Sequence, residues 1–264
     1  MPLSLRSFET VAEARDALAA SGSRYLGGGT LSVRAANEGD LGFDVLVRAT
    51  DSQLTRIEVD GSRVRLGASA TMAAILRHPA LGAIAPAARA VGGPAIRTMA
   101  TVGGNLFAPT PYGDFAVALL ALGAQVETEG RSIDLDEFLN GRNVFGGIVT
   151  AVEFDMPGER AFRFLKVSRV RPKGVSVLSI AACIERDAGG TVQTARIALG
   201  CMADRPVRAR AAEAALIGSR LDASGVEDAV AAVSEGIAPP TDPIASEWYR
   251  REVLPVHFRR LLLG

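Results

Sequence analysis

The chain has 264 residues, enough for one large domain or two ordinary ones, each with a substantial hydrophobic core. Its 29 basic and 29 acidic side chains cancel, so no net charge attracts nucleic acid or an anionic membrane surface. The only cysteines, Cys183 and Cys201, each lie in an apolar run, which excludes a disulfide framework or a cysteine-rich metal site.

The N-terminal half mixes helices and strands. The segment "SFETVAEARDALAAS" predicts an amphipathic helix with Val11, Ala14 and Leu18 on one face and Thr10 as its cap. The segments "RYLGGG" and "FDVLVRAT" predict short strands, and "TRIEVDGSRVRLGASAT" predicts a hairpin that turns at its Asp-Gly pair. The pattern from Met72 to Leu122 is helical. Next, "AQVETEGRSIDLDEFL" predicts two strands and the start of a helix, and "GGIVTAVEFDMP" predicts one more strand.

The C-terminal part has a different order of predicted elements. The segments "FRFLKVS", "VSVLSIAACIERD" and "TVQTARIALGCMA" predict three consecutive strands. Helices are predicted in "VRARAAEAALIGS", "SGVEDAVAAVSEGI" and the closing "ASEWYRREVLPVHFRRLLL". Strands followed by helices are typical of an α+β layer domain. We therefore place a domain boundary near Gly158.

The N-terminus lacks a basic region followed by an apolar stretch and a cleavage site. The longest nearly apolar run, from Phe115 to Val126, is too short to cross a bilayer. We expect a cytoplasmic protein without a membrane span and without a nucleic-acid partner.

Two glycine-rich turns each contain a threonine: "YLGGGT" at residues 25–30 and "ATVGGN" at residues 100–105. Glycine lets backbone N–H groups converge on a phosphate, and a threonine hydroxyl adds another donor. Either turn alone is weak evidence, but two turns can hold a diphosphate from two sides. Neither fits the phosphate-binding loop of nucleotide triphosphatases or the Gly-x-Gly-x-x-Gly fingerprint. The pair predicts a dinucleotide held by some other fold.

Four segments carry a family resemblance: "YLGGGTLSVRAANEG", "ATVGGNLFAPTPYGDFAVALLALGAQVE", "FRFLKVSR" and "RPVRARAAEAAL". In this order they resemble the FAD-binding medium subunit of the molybdenum hydroxylases, the family of carbon monoxide dehydrogenase medium chains and the xanthine dehydrogenase flavin domain. The resemblance implies an α+β fold with two domains. Residues 1–158 would form a two-lobed FAD-binding domain of the vanillyl-alcohol-oxidase type (PCMH-like), divided near residue 58. Residues 159–264 would form an α+β domain with an antiparallel sheet and packed helices.

The resemblance also implies the site residues. Asp114 would accept a hydrogen bond from a cofactor hydroxyl, and Val149 would pack against the isoalloxazine ring. Lys166 would lie near that ring, where a positive charge favours the reduced form. FAD would be held without a covalent bond, because neither turn segment contains cysteine or histidine. The two pyrophosphate loops would consist of Tyr25, Leu26, Gly27, Gly28, Gly29, Thr30, Leu31 and Ser32, and of Thr101, Val102, Gly103, Gly104 and Asn105.

The residues alone leave other interpretations open. Asp114 at a helix start is typical of a cap, Lys166 in an alternating strand is typical of a solvated face, and Asn105 suits a left-handed turn position. His78 and His257 are far apart in sequence and lack an acidic partner pattern, so we predict neither a metal site nor a catalytic triad.

The chain departs from the family pattern at two places. Leu31 stands where the family usually has an acidic residue after the threonine. The segment Val170 to Gly174 stands where the family commonly continues with a second arginine and then an aspartate. Either departure would alter the contacts with the flavin.

The resemblance implies an electron-transfer subunit of a heterotrimer. A large molybdenum-cofactor subunit would hydroxylate the substrate, and a small subunit with two [2Fe-2S] clusters would relay electrons. This chain would pass them through FAD to an external acceptor such as NAD, a quinone or oxygen. The molybdenum cofactor and the clusters are expected only in the partners, since this chain has no cysteine set for clusters. The alternatives are a free-standing FAD oxidoreductase of the same fold and a flavin-depleted scaffold subunit.

Overall fold

The computed structural model describes residues 3–170 and 174–264, which form three β-sheets with helices packed around them. The strands are β1 (Ser4–Phe8), β2 (Ser23–Tyr25), β3 (Val45–Ala49), β4 (Ile57–Asp60), β5 (Arg63–Gly67), β6 (Gln125–Thr128), β7 (Arg131–Asp134), β8 (Val149–Asp155), β9 (Phe162–Ser168), β10 (Ser176–Arg186), β11 (Val192–Gly200) and β12 (Val207–Arg208). The α-helices are α1 (Val11–Leu18), α2 (Ser32–Asn37), α3 (Met72–Arg77), α4 (Ala85–Ala90), α5 (Pro94–Arg97), α6 (Val102–Leu106), α7 (Asp114–Ala121), α8 (Leu135–Gly141), α9 (Arg210–Leu216), α10 (Glu227–Ala232) and α11 (Glu247–Leu263).

The first lobe is a small parallel sheet in the order β1-β3-β2, in which β3 pairs with both neighbours. Helix α1 packs on this sheet, and Ala14 and Val47 lie in their shared core. Thr10 caps α1 as predicted, because its hydroxyl accepts from the Glu13 N–H while the Glu13 carboxylate accepts from the Thr10 N–H. The first glycine turn follows directly after β2.

The second lobe is an antiparallel sheet in the order β4-β5-β8-β6-β7. The predicted Asp-Gly hairpin joins β4 to β5, and Gly61 has the positive φ of 58° that such a turn requires. Helices α3, α4, α6 and α7 belong to the same hydrophobic core as this sheet. Helix α7, "DFAVALLA", is buried along its whole length.

The C-terminal sheet is antiparallel in the order β12-β11-β10-β9. Its central strand β10 is apolar on both faces because both are covered. Leu178, Ile180 and Ala182 pack against the helices α9, α10 and α11, whereas Ala181 and Cys183 face the core that contains α7. Helix α7 therefore lies against the C-terminal sheet as well as the second lobe.

The α+β fold with an antiparallel C-terminal sheet is confirmed. Strand β1, helix α2 and the two-residue strand β12 were not predicted. The first sheet ends at Ala49 and the second begins at Ile57, and β8 ends at Asp155 before β9 begins at Phe162. The predicted division near residue 58 lies beside the first of these gaps, and the predicted boundary near residue 158 lies within the second. Across residues 3–170 and 174–264, no helix is both long enough and apolar enough to cross a bilayer.

Candidate cofactor site

The structure brings the two glycine turns into direct contact. A Cβ atom on Gly28 would lie 1.7 Å from the carbonyl oxygen of Met99, immediately before the second turn. A Cβ atom on Gly27 would lie 3.0 Å from Oγ1 of Thr101. Only a residue without a side chain allows the backbones to approach so closely at position 28. Turns that are some seventy residues apart in sequence thus form one surface.

The first turn presents a row of free donors. The N–H of Leu26 still bonds to the carbonyl of Val47 at 2.7 Å, but the N–H groups of residues 27–31 donate to no acceptor in the part of the chain that the structure describes. These residues are half-buried. The hydroxyls of Thr30 and Ser32 are also without a partner among the described residues. Consecutive unpaired N–H groups are the donor set that a phosphate requires.

The second turn is held by its own hydrogen bonds. Thr101 caps helix α6 with Oγ1, which accepts from the N–H of Gly104 at 3.1 Å. The N–H groups of Val102 and Gly103 donate to the carbonyls of Ala70 and Ala68 at 2.9 and 2.8 Å. The second turn therefore has few N–H groups left for a ligand among the described residues. The sequence had suggested that both turns donate to a diphosphate, one from each side.

The two glycines of the second turn face different ways. A Cβ on Gly103 would lie 3.1 Å from the backbone oxygen of Ala68, so this glycine packs on the chain itself. Gly104 is exposed, and its Cβ would meet only Oγ1 of Thr101 at 2.9 Å. Asn105 lies inside α6, where its amide donates to the Thr101 carbonyl at 2.9 Å. The interpretation of Asn105 as a left-handed turn residue is therefore wrong.

Asp114 and Lys166 form a buried ion pair between the two domains. The ammonium of Lys166 lies 2.9 Å from Oδ2 of Asp114, and the two side chains are 15% and 7% exposed. The same ammonium donates to the carbonyl of Ala90, also at 2.9 Å. Oδ1 of Asp114 accepts from the hydroxyl of Ser176 at 2.7 Å. Asp114 makes no capping hydrogen bond to α7 and Lys166 is not on a solvated face, so both of those interpretations are wrong.

Two of the predicted site residues lie in the hydrophobic interior, and a third is partly buried against it. Val149 is 4% exposed in the core around β8, and Val102 is fully buried. Tyr25 packs against the core of the first lobe, and burial raises the pKa of its phenol. The contact of Val149 with an isoalloxazine ring stays a prediction. These side chains hold the loops and offer little surface to a ligand.

The two departures from the family pattern, at Leu31 and at Val170 to Gly174, lie in different domains. Leu31 precedes helix α2, where it makes no side-chain cap. In the second departure, Val170 is exposed, whereas Arg171, Pro172 and Lys173 lie outside the described residues.

The contacts of Ser176, of Arg142 and of the pair formed by Arg34 and Tyr112 were not predicted from the sequence. The buried guanidinium of Arg142 donates to the carbonyl of Leu106 at 2.8 Å and to that of Asp204 at 3.3 Å, which ties the end of α6 to the C-terminal domain. Burial lowers its pKa.

The phenol oxygen of Tyr112 accepts from Nη1 of Arg34 at 3.2 Å, which links α2 to the loop before α7. No local sequence signal marks these contacts, because their partners lie far apart in the chain.

The donor set fits a dinucleotide cofactor. Unpaired N–H groups and two free hydroxyls suit a diphosphate, and the carboxylate and ammonium of Asp114 and Lys166 suit polar groups along a bound molecule. Within residues 3–170 and 174–264, no cluster of three or more His, Cys, Asp or Glu side chains is arranged to hold a metal ion.

Two family matches identify the class of protein to which the chain belongs. Residues 4–154 match the family described as "FAD binding domain in molybdopterin dehydrogenase", and residues 163–264 match the "CO dehydrogenase flavoprotein C-terminal domain". The chain therefore belongs to the FAD-binding medium subunits of the molybdenum hydroxylase family, the subunits of molybdenum-containing oxidoreductase complexes. The resemblance seen in the sequence is confirmed.

Individual relatives agree with this family. The chain is 32% identical over 178 residues to the glyceraldehyde dehydrogenase medium chain of Sulfolobus acidocaldarius, a match that spans 64% of this chain and 63% of that protein. It is 27% identical over 227 residues to the nicotinate dehydrogenase FAD-subunit of Eubacterium barkeri, which covers 80% of this chain and 77% of that one. The structure of reconstituted CO dehydrogenase from Oligotropha carboxidovorans superposes with a TM-score of 0.90 at 26% identity, covering 99% of this chain and 97% of that chain.

Proposed function

We propose that this chain binds FAD without a covalent bond and carries electrons from the [2Fe-2S] clusters of a small partner subunit to an external acceptor. The proposal rests on the N–H groups of residues 27–31, which have no acceptor among the described residues and belong to the turn that contacts the second glycine turn. FAD, when bound, supplies the chemistry of accepting and releasing electrons; the chain binds it and orients it.

The first turn would supply most of the hydrogen bonds to the pyrophosphate, from its free N–H groups and from the hydroxyls of Thr30 and Ser32. The second turn would supply shape, because Gly104 leaves open the space that a side chain would fill. This division of roles follows from the internal hydrogen bonds of Val102 and Gly103, which leave those two N–H groups without capacity for a ligand.

Asp114 and Lys166 would hold the part of the cofactor beyond the pyrophosphate. An ammonium has three donors, and within the part of the chain that the structure describes that of Lys166 uses two of them, on Ala90 and Asp114. The third would serve the cofactor. Among the described residues, each oxygen of Asp114 accepts from one side-chain donor and keeps a lone pair for a cofactor hydroxyl. Because the lysine charge is balanced by the aspartate, the pair acts on a flavin ring as a dipole rather than as a lone cation.

The partners of this chain would be a large subunit with the molybdenum cofactor and a small subunit with two [2Fe-2S] clusters. The names "medium chain" and "FAD-subunit" of the relatives support a multisubunit assembly. The chain itself has two cysteines, both buried, whereas each such cluster takes four cysteine ligands. Electrons would therefore enter from outside the chain.

Co-purification tests the proposal. The chain is expressed together with the products of the genes beside its own, and the purified material is analysed for flavin, iron and molybdenum. We expect a yellow complex that contains all three. A yellow chain that turns over a substrate alone would identify a free-standing oxidoreductase, and a colourless complex would identify a scaffold subunit; either result would contradict the proposal.

A further inference from the structure

We propose that Ser176 is a positioning residue for the FAD site, because its hydroxyl fixes the carboxylate that shares the buried cluster with Lys166. The inference rests on the proposed function and extends it to a residue that touches no predicted site loop. Ser176 is fully buried, and its hydroxyl lies 2.7 Å from Oδ1 of Asp114. Lys166 holds the other oxygen, Oδ2, at 2.9 Å. With one donor on each oxygen, the carboxylate has a single orientation.

An irregularity in strand β10 turns Ser176 toward this carboxylate. Side chains alternate along a strand, and Leu178, Ile180 and Ala182 all face the helices of the C-terminal domain. Regular alternation would place Ser176 on that same face, away from α7. The register of β10 against β9 shifts between Ser176 and Leu178. A bulge of this kind re-aims one side chain, and here it directs the Ser176 hydroxyl to α7.

The backbone around Ser176 is fixed from the C-terminal side. The carbonyl of Val177 accepts from Nε of Arg250 at 2.9 Å, and the guanidinium of Arg250 is itself fully buried and bound to both carboxylate oxygens of Asp242. The thiol of Cys201 lies 3.5 Å from the carbonyl oxygen of Ser176. A serine held by two buried partners can orient Asp114 without moving itself.

Removal of the hydroxyl would leave Asp114 with Lys166 as its only side-chain donor among the described residues. The carboxylate would then be free to rotate about its terminal bond and would present the wrong oxygen to a cofactor hydroxyl. Loss of the hydroxyl dipole would also make the site more negative, which disfavours the reduced flavin. Ser176→Ala should therefore weaken FAD binding and lower the reduction potential of bound FAD.

The test compares Ser176→Ala with Ser179→Ala in the full chain. Ser179 is a matched control because it lies on the same strand, is 1% exposed, and has a hydroxyl without a hydrogen-bond partner among the described residues. The dissociation constant of FAD is measured on the flavin-free protein by fluorescence titration, and the potential of bound FAD by redox titration. We expect about a tenfold rise in the dissociation constant for Ser176→Ala and a fall in potential. Ser179→Ala should change neither.

A double-mutant cycle separates positioning from folding. In an Asp114→Asn background, Ser176→Ala should add no further loss of affinity, since it acts through the carboxylate. A Ser176→Ala protein that melts earlier but keeps the affinity and potential of the Ser179→Ala control would overturn the inference and leave the proposed function intact. If the wild-type chain itself binds no FAD, the proposed function fails, and the inference fails with it.

Discussion

The backbone of Gly28 lies against the backbone of Met99 so closely that a Cβ atom on residue 28 would be 1.7 Å from the Met99 carbonyl oxygen. This contact joins the glycine turn of the first lobe to the glycine turn of the second. It makes one surface out of two segments, one of which follows strand β2 while the other begins helix α6. Glycine is therefore needed at position 28 for the close approach of the two turns.

Gly28→Ala should separate the two turns. The added methyl group cannot be accommodated without a backbone shift, so we expect a loss of about 1–3 kcal/mol in the free energy of unfolding and weaker FAD binding. Denaturant unfolding and FAD titration measure the two effects. Gly82→Ala is the control, because a Cβ there meets nothing within 4 Å. A Gly28→Ala protein with wild-type stability and affinity would show that the turns do not need this approach.

Gly104→Val should remove FAD while leaving the fold largely intact. Gly104 is exposed, and its Cβ would meet only the Thr101 hydroxyl oxygen, so the side chain would project into the space proposed for the pyrophosphate. The measurement is the flavin content of the purified variant together with its melting temperature, and Gly82→Val is the matched control. Full flavin occupancy in Gly104→Val would refute the role of the second turn.

Lys166→Ala should lower the reduction potential of bound FAD and destabilise the fold. The substitution removes a cation from the site and leaves Asp114 as an uncompensated buried charge, which costs about 3–5 kcal/mol when one partner of a buried pair is lost. We expect the purified variant to retain FAD but to bind it more weakly, because one of the proposed donors to the cofactor is lost. Redox titration and denaturant unfolding are the measurements, and Asp114→Asn added to Lys166→Ala should restore part of the stability. An unchanged potential would place Lys166 away from the flavin.

Cys201 should make the fold less stable at alkaline pH. Burial raises the pKa of its thiol to about 12, whereas an unfolded cysteine titrates at about 8.5. Between these values the unfolded chain releases the thiol proton and the folded chain keeps it. The Cys201 contribution to the free energy of unfolding therefore falls by about 1.4 kcal/mol per pH unit above pH ~8.5.

The difference in unfolding free energy between wild type and Cys201→Ala isolates this contribution. Below pH ~8 the difference should be constant, and from there to pH ~10 it should shift steadily in favour of the alanine variant. A difference that stays flat over this range would mean that the thiol titrates normally in the folded protein.

The elements specified by neighbouring residues could be predicted from the sequence. The capping box of Thr10 and Glu13 and the Asp-Gly hairpin are local, and the structure has both. Strand β1 was missed because its side chains are mostly exposed and its parallel partner β3 lies about forty residues further along the chain. Its pairing is therefore a tertiary property.

The glycine turns of the candidate site were recognised from the sequence, but the polar cluster of Asp114, Lys166 and Ser176 was not. Asp114 and Lys166 were both singled out, yet their pairing joins two domains and has no sequence spacing to indicate it. Regular alternation along β10 would point the Ser176 side chain away from Asp114. The bulge that reverses this direction depends on the register of β10 with β9, which no local sequence pattern indicates.

FAD is proposed to be held in this chain without a covalent bond, and the flavin content of the purified chain tests this binding most directly. The chain is purified, saturated with FAD, freed of excess cofactor and then denatured, and the flavin in the protein-free filtrate is measured by absorbance. We expect FAD in equimolar amount, all of it released into the filtrate. A folded chain that retains no FAD, or one whose flavin stays with the denatured protein, would contradict non-covalent FAD binding by this chain.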